Sequence, residues 1–166
     1  MHSETGKDLT PEQAKRMPIH LIFPMYVDMI FSFTNKKLIS DLGFSPVDEP
    51  LLKEAFENNK SRTTKEFGKD VLLPVPELLL AMKLHSILHR DKTHKRLKDF
   101  CDIVALCIYS ELEMNDIILK SKNFVSKKVM ARFRKMNFEE ECRNGSKILN
   151  LNYNTVNSVI LRIKEK

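Results

Sequence analysis

Apolar residues are spaced differently in the two halves of the chain. Residues 19–33 (IHLIFPMYVDMIFSF) are rich in β-branched and aromatic residues, and Pro24 divides them into two short predicted strands. In the second strand alternate side chains from Val27 to Phe33 face the core, so Asp28 points to the other side. Residues 69–75 (KDVLLPV) predict a further strand that Pro74 ends.

From residue 76 onward the apolar residues recur at helical spacing. A long helix is expected to begin at Pro76-Glu77, because proline is tolerated and glutamate favoured in a first turn. Asn115 and Ser126 are candidate caps of later helices. The predicted helices cover residues 76–90, 96–110, 116–122, 126–141 and 154–165, and NGS at 144–146 predicts a turn.

Strands that come first and helices that come later predict the α+β class. We expect a small mixed β-sheet in residues 1–75, followed by a C-terminal helical bundle in residues 76–166 that packs on it as one compact unit. Two short helices are predicted within the first region, one after Thr10-Pro11-Glu12 and one in LLKEAFEN at 51–58. The remaining signals between residues 34 and 68 are mixed.

Composition narrows the class of protein. The chain has 166 residues, of which 42% are hydrophobic and 30% charged, as in soluble globular proteins. No apolar run approaches the roughly 18 residues that span a bilayer, and the polar N-terminus lacks a signal-peptide core, so a cytoplasmic protein with no membrane partner is expected. Cys101, Cys107 and Cys142 form no CxxC pair, which predicts buried thiols in a reducing compartment.

The charge balance is basic. The net charge is +6, and lysine and arginine recur at residues 120–135 and 162–166. This balance fits a nucleic-acid or nucleotide partner, although a solvated basic face is the commoner explanation. No RNP motif, zinc finger or aromatic-rich platform accompanies the charge.

Two basic and two acidic residues stand within neighbouring predicted helices. Lys83 and Arg90 are two helical turns apart on one stripe, and Asp99 and Asp102 are neighbours on one face of the next helix. If the short turn makes the helices antiparallel, the two stripes approach each other. The result is either a salt-bridged helix pair or a site that holds phosphates beside a carboxylate, and spacing does not separate the two.

The same residues resemble the AbiEii/AbiGii-type nucleotidyltransferases, a branch of the DNA-polymerase-β-like superfamily. Members carry a helix with the pattern K-x6-R, followed after a short spacer by a basic residue and D-x2-D. Here the two phrases are VPELLLAMKLHSILHR at 75–90 and KDFCDIVALC at 98–107. The upstream strand YVDMIFSF at 26–33 resembles the family's strand with a hydrophobic-Asp-hydrophobic centre.

The resemblance implies magnesium-dependent transfer of a nucleotidyl group from an NTP to RNA or protein. It assigns the triphosphate contact to Lys83, the catalytic carboxylates to Asp28, Asp99 and Asp102, and a metal-ligand role to Asp28. Arg90 is expected to pair with Asp102 or to support the phosphates as a second nucleotide-binding residue. Because many relatives are toxins, a cognate antitoxin protein is a further expected partner.

One defining motif of the family is missing. Members supply two metal ligands from an Asp-x-Asp that follows a Gly-Gly or Gly-Ser helix start, and no Asp-x-Asp occurs in this sequence. We therefore expect a fragment or a degenerate relative that is inactive alone. The alternative on the same scaffold is a non-catalytic module that binds a nucleotide, an RNA or a protein.

Three weaker motifs point elsewhere. His85 and His89 have the HxxxH spacing of zinc proteases, but the intervening glutamate and a third ligand are missing. Arg90 and His94 are separated by three residues, fewer than in the Arg-His motif of HEPN ribonucleases. Ser86 lacks the context of a nucleophile elbow. A helical RNA-cleaving or antitoxin-like protein remains a third interpretation.

Overall fold

A computed structural model of the chain describes residues 7–18, 30–31, 35–43, 47–49, 51–66 and 69–165. These residues belong to two compact units that divide between Glu49 and Pro50. The division falls earlier than the boundary at residues 75 and 76 that the sequence suggested, because residues 50–75 cluster with the C-terminal helices.

The first unit contains short elements. They are helix α1 (Pro11–Arg16), strand β1 (Ile30–Phe31), helix α2 (Lys36–Leu42) and strand β2 (Val47–Asp48), with β1 and β2 parallel. The predicted helix after Thr10 is confirmed, since the Thr10 hydroxyl accepts a hydrogen bond from the Gln13 amide and the Gln13 side chain accepts one from the Thr10 amide. Asp28 and most of residues 19–33 lie outside the described residues.

The second unit opens with helix α3 (Leu52–Phe56) and a hairpin of strands β3 (Ser61–Glu66) and β4 (Lys69–Pro74). The two strands are antiparallel, with Ser61 opposite Pro74 and Glu66 opposite Lys69. The helix in LLKEAFEN and the strand at 69–75 are confirmed. Strand β3 (SRTTKE) was not predicted, because it has no apolar face and its ladder hydrogen bonds to β4 define it instead.

Six helices follow the hairpin in the described part of the second unit. They are α4 (Pro76–Ser86), α5 (Thr93–Tyr109), α6 (Met114–Ser121), α7 (Lys127–Lys135), α8 (Glu139–Ile148) and α9 (Tyr153–Glu165), and a 3-10 turn (Ile87–His89) extends α4. The largely helical chain with small sheets confirms the α+β class in its coarse sense. No described helix is long and apolar enough to cross a membrane.

The core of the second unit lies between α4, α5 and the later helices. Its large buried side chains include Leu80, Leu84, Ile87, Phe100, Ile103 and Phe133. The predicted burial of the three cysteines is confirmed. Burial raises the pKa of the Cys107 thiol to about 12, so this side chain remains a neutral thiol at physiological pH.

The predicted turn at residues 144–146 is wrong, because these residues lie inside α8. A Cβ added at Gly145 would lie 2.9 Å from Cε1 of the Phe100 ring. The absence of a side chain at Gly145 therefore allows α8 to approach α5 closely. Packing overrides the preference of this residue for a turn.

The predicted helix over 126–141 is divided at residues 136–138 into α7 and α8. Its predicted cap is confirmed, since the Ser126 hydroxyl accepts a hydrogen bond from the Val129 amide. Asn115 is not a cap, because α6 already begins at Met114. The last helix begins at Tyr153, one position before the predicted start at residue 154.

Gly145→Ala is expected to destabilise the protein by about 1–3 kcal/mol, the usual cost of overpacking, despite the better helix propensity of alanine. Chemical denaturation measures the effect. Lys147→Ala, on the exposed side of α8, is the control and should change the free energy of unfolding by less than about 0.5 kcal/mol. Adding Phe100→Leu should make the Gly145→Ala cost smaller than in the intact background. A variant as stable as the parent would refute the close approach.

Candidate functional site

Helices α4 and α5 bring the basic and acidic stripes together. Lys83 of α4 contacts Asp102 in the middle of α5, whereas Arg90, after the 3-10 turn, contacts Asp99 one turn earlier. These contacts require the two helices to run in opposite directions. The predicted approach of the stripes is therefore confirmed. We call Lys83, Ser86, Arg90, Asp99 and Asp102 the charged cluster.

Asp99 is the buried centre of the charged cluster, with a side chain only 2% exposed. Its Oδ1 accepts a hydrogen bond from Lys83 Nζ at 3.1 Å, and its Oδ2 accepts from Ser86 Oγ and Arg90 Nε, each at 2.6 Å. Burial by itself would raise the pKa of Asp99, but the bonds from Arg90, Ser86 and Lys83 outweigh it and lower the pKa. The carboxylate is thus held ionised at neutral pH.

Lys83 joins the buried carboxylate to one that faces solvent. Its Nζ lies 2.7 Å from Asp102 Oδ2, and the side chains of Lys83 and Asp102 are 30% and 36% exposed. Burial would lower the pKa of Lys83, but hydrogen bonds from the ammonium to Asp102 and Asp99 outweigh it and raise the pKa. Lys83 is therefore a fixed cation and is poorly suited to act as a general base.

A groove of about 430 Å³ lies beside the charged cluster, between the β3–β4 hairpin and helices α4 and α5. Its apolar wall is formed by Leu73, Pro74, Pro76, Leu79 and Leu106. Arg62, Lys83 and Asp102 add charged groups, and the largely exposed Tyr109 lies at its border. This volume and mixture of surfaces are typical of sites for small molecules with one apolar and one anionic part.

The charges of the groove favour an anion. Its described lining carries the cations Arg62 and Lys83 against the single carboxylate Asp102. The Arg62 guanidinium also pairs with Glu111 at 3.0 Å, but Glu111 is 81% exposed, so solvent screens that pair. Phosphate groups are the natural anionic partner of a lysine and an arginine that converge on one groove.

The predicted site residues divide into two groups. Lys83 and Asp102 line the groove, whereas Asp99 and Arg90 stand behind them and are absent from its described lining. Arg90 pairs with Asp99 and not with Asp102, because Arg90 lies beyond the end of α4, level with the earlier aspartate. Asp28 lies outside the described residues, so its place beside Lys83 stays a prediction.

Two residues of the site were missed by sequence reasoning. Ser86 stands three positions after Lys83 on the same helical face, so helical spacing alone was a sufficient signal for it. Arg62 enters the groove from β3, a strand that the sequence did not reveal, and no local signal identified it.

The described residues alone offer too few ligands for a metal ion. They contain no group of three or more histidine, cysteine or acidic side chains suited to a metal, and His85 and His89 meet no third ligand there. The groove offers Asp102, one oxygen of which already faces Lys83. Mg²⁺ usually takes one or two carboxylates together with substrate phosphates, so these residues do not by themselves form a complete magnesium site.

Comparison with models of known protein families, with curated proteins and with solved structures gives no match to this chain. The resemblance to the AbiEii-type enzymes thus rests on the short motifs around Lys83 and Asp99 and on the segment YVDMIFSF at 26–33.

Asp99→Asn is expected to lower the free energy of unfolding by about 1.5–3 kcal/mol, the range for hydrogen bonds to charged groups, because three donors lose their anionic acceptor. Asp102→Asn is the matched control and should cost less than about 1 kcal/mol, since Asp102 is partly exposed. Urea denaturation measures the free energy of unfolding of the parent chain and of both variants. Equal losses would contradict the central role of Asp99.

The stability difference between the parent chain and Asp99→Asn should depend on pH. The pKa of Asp99 is lowered in the folded state from its ordinary 3.8, so its contribution is present above about pH 3.8 and is lost as the pH falls further. Denaturation curves between pH 7 and pH 2 should therefore converge at the acidic end. A difference that stays constant down to pH 2 would show that the carboxylate charge is not the cause.

Proposed function

We propose that the groove beside Lys83 binds a nucleoside triphosphate and that the chain is a nucleotidyltransferase-like protein. The observation that carries this proposal is the position of the Lys83 ammonium, which Asp99 and Asp102 hold at the edge of a groove with an apolar wall. A buried structural salt bridge needs no such groove. The resemblance of residues 75–107 to the AbiEii-type enzymes supports the same assignment.

Each part of the groove has a role in binding. Lys83 remains protonated and contacts the triphosphate. Asp102, on the solvent side, competes with the triphosphate for the Lys83 ammonium. Asp99 is a positioning residue, because it is buried and acts on the ligand through Lys83. Arg62 supplies a second cation, and the apolar wall of the groove receives the base.

The expected reaction is transfer of a nucleotidyl group to an RNA or protein acceptor. A hydroxyl of the acceptor loses its proton to solvent and its oxygen forms a bond to the α-phosphorus, the bond from that phosphorus to the bridging oxygen breaks, and pyrophosphate leaves. Mg²⁺ would neutralise the phosphates. Asp102 would be the ligand to the ion from the described groove, and the resemblance assigns a second metal-ligand role to Asp28.

A second candidate is a non-catalytic nucleotide-binding module. It is favoured by one specific observation, namely that Asp99 and Asp102 both pair with Lys83, which leaves the described groove without a free carboxylate. The missing Asp-x-Asp agrees with it. In this case a triphosphate binds but is not consumed.

Lys83→Met is expected to weaken NTP binding at least tenfold, since the charge-assisted contact to the phosphates is lost. Each of the four NTPs is titrated calorimetrically, with and without Mg²⁺. Lys98→Met is the matched control, because Lys98 is exposed on α5 and should leave the affinity unchanged. Ala105→Trp fills the groove while keeping Lys83, and it should also weaken binding.

Two outcomes would refute the proposal: binding of none of the NTPs, or equal affinities for the parent chain and Lys83→Met. The enzyme and the binding module are separated by incubating the chain with NTP labelled at the α-phosphorus together with RNA or protein acceptors. Label transfer with release of pyrophosphate identifies the enzyme, whereas binding without transfer identifies the module.

A further inference from the structure

Helix α7 carries an unusual density of positive charge. No aspartate or glutamate occurs from residue 117 through residue 138. The helix buries Val129, Met130 and Phe133 against the core, so its charged side chains are turned outward. The exposed cations of α7 are Lys127, Lys128, Arg132, Arg134 and Lys135. Of these, Lys128, Arg132 and Lys135 lie along one edge at positions i, i+4 and i+7.

A second basic segment lies against that edge. Helix α7 packs against the 3-10 turn, and the Arg132 guanidinium donates a hydrogen bond to the Leu88 carbonyl at 3.3 Å. Residues 89–95 (HRDKTHK) follow directly and contain one acidic residue, Asp91. We call the combined set of His89, Lys92, Lys95, Lys128, Arg132 and Lys135 the basic surface. All six side chains are exposed.

The charges of the basic surface are not neutralised within the protein. In the described part of the chain, none of its six residues has a carboxylate within ion-pair distance. Elsewhere the chain pairs exposed charges, as in Lys53 with Glu57 and Arg143 with Glu139. Unpaired like charges on adjoining elements create a positive potential that an external anion relieves.

The start of α5 adds to this potential. Its N-cap is Lys92, which makes no side-chain capping bond, and its first turn contains no acidic residue. The α7 start, by contrast, is capped by the Ser126 hydroxyl. The free amides and the positive helix terminus at Thr93 therefore reinforce the cations around them.

The basic surface has the charge of a site for a polyanion. It lacks the exposed apolar residues of a membrane-binding surface and the aromatic residues of a site for single-stranded nucleic acid. Exposed large apolar side chains such as Leu72, Leu119 and Ile148 lie elsewhere, and none falls within residues 85–95 or 127–135. A membrane-binding surface needs apolar residues that insert, and a single-strand site needs aromatic rings that stack on bases. Duplex nucleic acid needs neither, because its phosphates face outward.

We infer that the basic surface binds the phosphate backbone of double-stranded nucleic acid. The contacts are electrostatic and independent of sequence, since contacts to phosphates position a protein on the duplex but carry no direct information about the bases. Duplex RNA and duplex DNA share this chemistry. The inference does not rest on the proposed nucleotide site, because Lys83 and Asp102 are not part of the basic surface.

The test is a titration of the intact chain with fluorescently labelled 20-base-pair RNA and DNA duplexes at salt concentrations from about 50 to 200 mM. If the five lysine and arginine side chains of the basic surface contact phosphates, the affinity should fall by roughly 500-fold over this range. The triple substitution of Lys128, Arg132 and Lys135 by glutamine should weaken binding at least tenfold at the low salt end. It should also reduce the slope of log affinity against log salt by about 2 to 3.

The matched control replaces Lys60, Lys65 and Lys147 by glutamine, which removes the same charge from exposed positions outside the basic surface. This control should bind at least several times more tightly than the α7 variant. Lys92→Gln with Lys95→Gln tests the second segment and should also weaken binding. Circular dichroism and melting curves confirm that each variant is folded, and glutamine at position 132 keeps a donor for the Leu88 carbonyl.

Three results would overturn the inference. They are no binding of either duplex at about 50 mM salt, equal loss in the α7 and control variants, and binding to anionic phosphatidylserine vesicles in the absence of duplex binding. Tighter binding of the RNA duplex or of the DNA duplex supports the inference and identifies which of the two nucleic acids the basic surface prefers. Lys83→Met should retain duplex binding, so failure of the nucleotide proposal and failure of this one give different results.

Discussion

The buried carboxylate of Asp99 is the constraint on which this region of the protein depends. Placing an ionised group between α4 and α5 is costly unless its oxygens are fully hydrogen-bonded, and Lys83, Ser86 and Arg90 supply the bonds. All three donors come from one helix and its extension. Because each of these bonds joins a specific donor to a specific acceptor, the network constrains the relative register of the two helices.

This network links the two surfaces for which we propose ligands. On one side Asp99 holds Lys83, which faces the groove with Asp102. On the other side it holds Arg90, which leads into the basic segment beside α7. A phosphate ligand at Lys83 would compete with carboxylates for the same ammonium, so binding and the helix register are coupled through one pair of ion contacts. Lys83 can therefore bind an external anion only in competition with Asp99 and Asp102.

Much of the fold was predictable because local patterns and packing agree. The cap at Ser126, the start at Pro76 and the strand at 69–74 each follow from residues within a few positions. Prediction failed where distant contacts decided the outcome. The sequence predicts a turn at Gly145, but this residue lies in a helix and fits against Phe100, and β3 lacks an apolar face but is paired by β4. In the site, Arg62 could not be found without knowing that strand.

The sequence by itself determined which charges share a helical face, because a 3.6-residue period places Lys83 with Arg90 and Asp99 with Asp102. It also determined that α7 would be rich in lysine and arginine. Only the tertiary structure decided which partner each charge takes, that Asp99 is buried while Asp102 faces solvent, and that α7 lies against the basic segment after α4. Burial and pairing depend on elements far apart in the chain, and local periodicity carries no information about them.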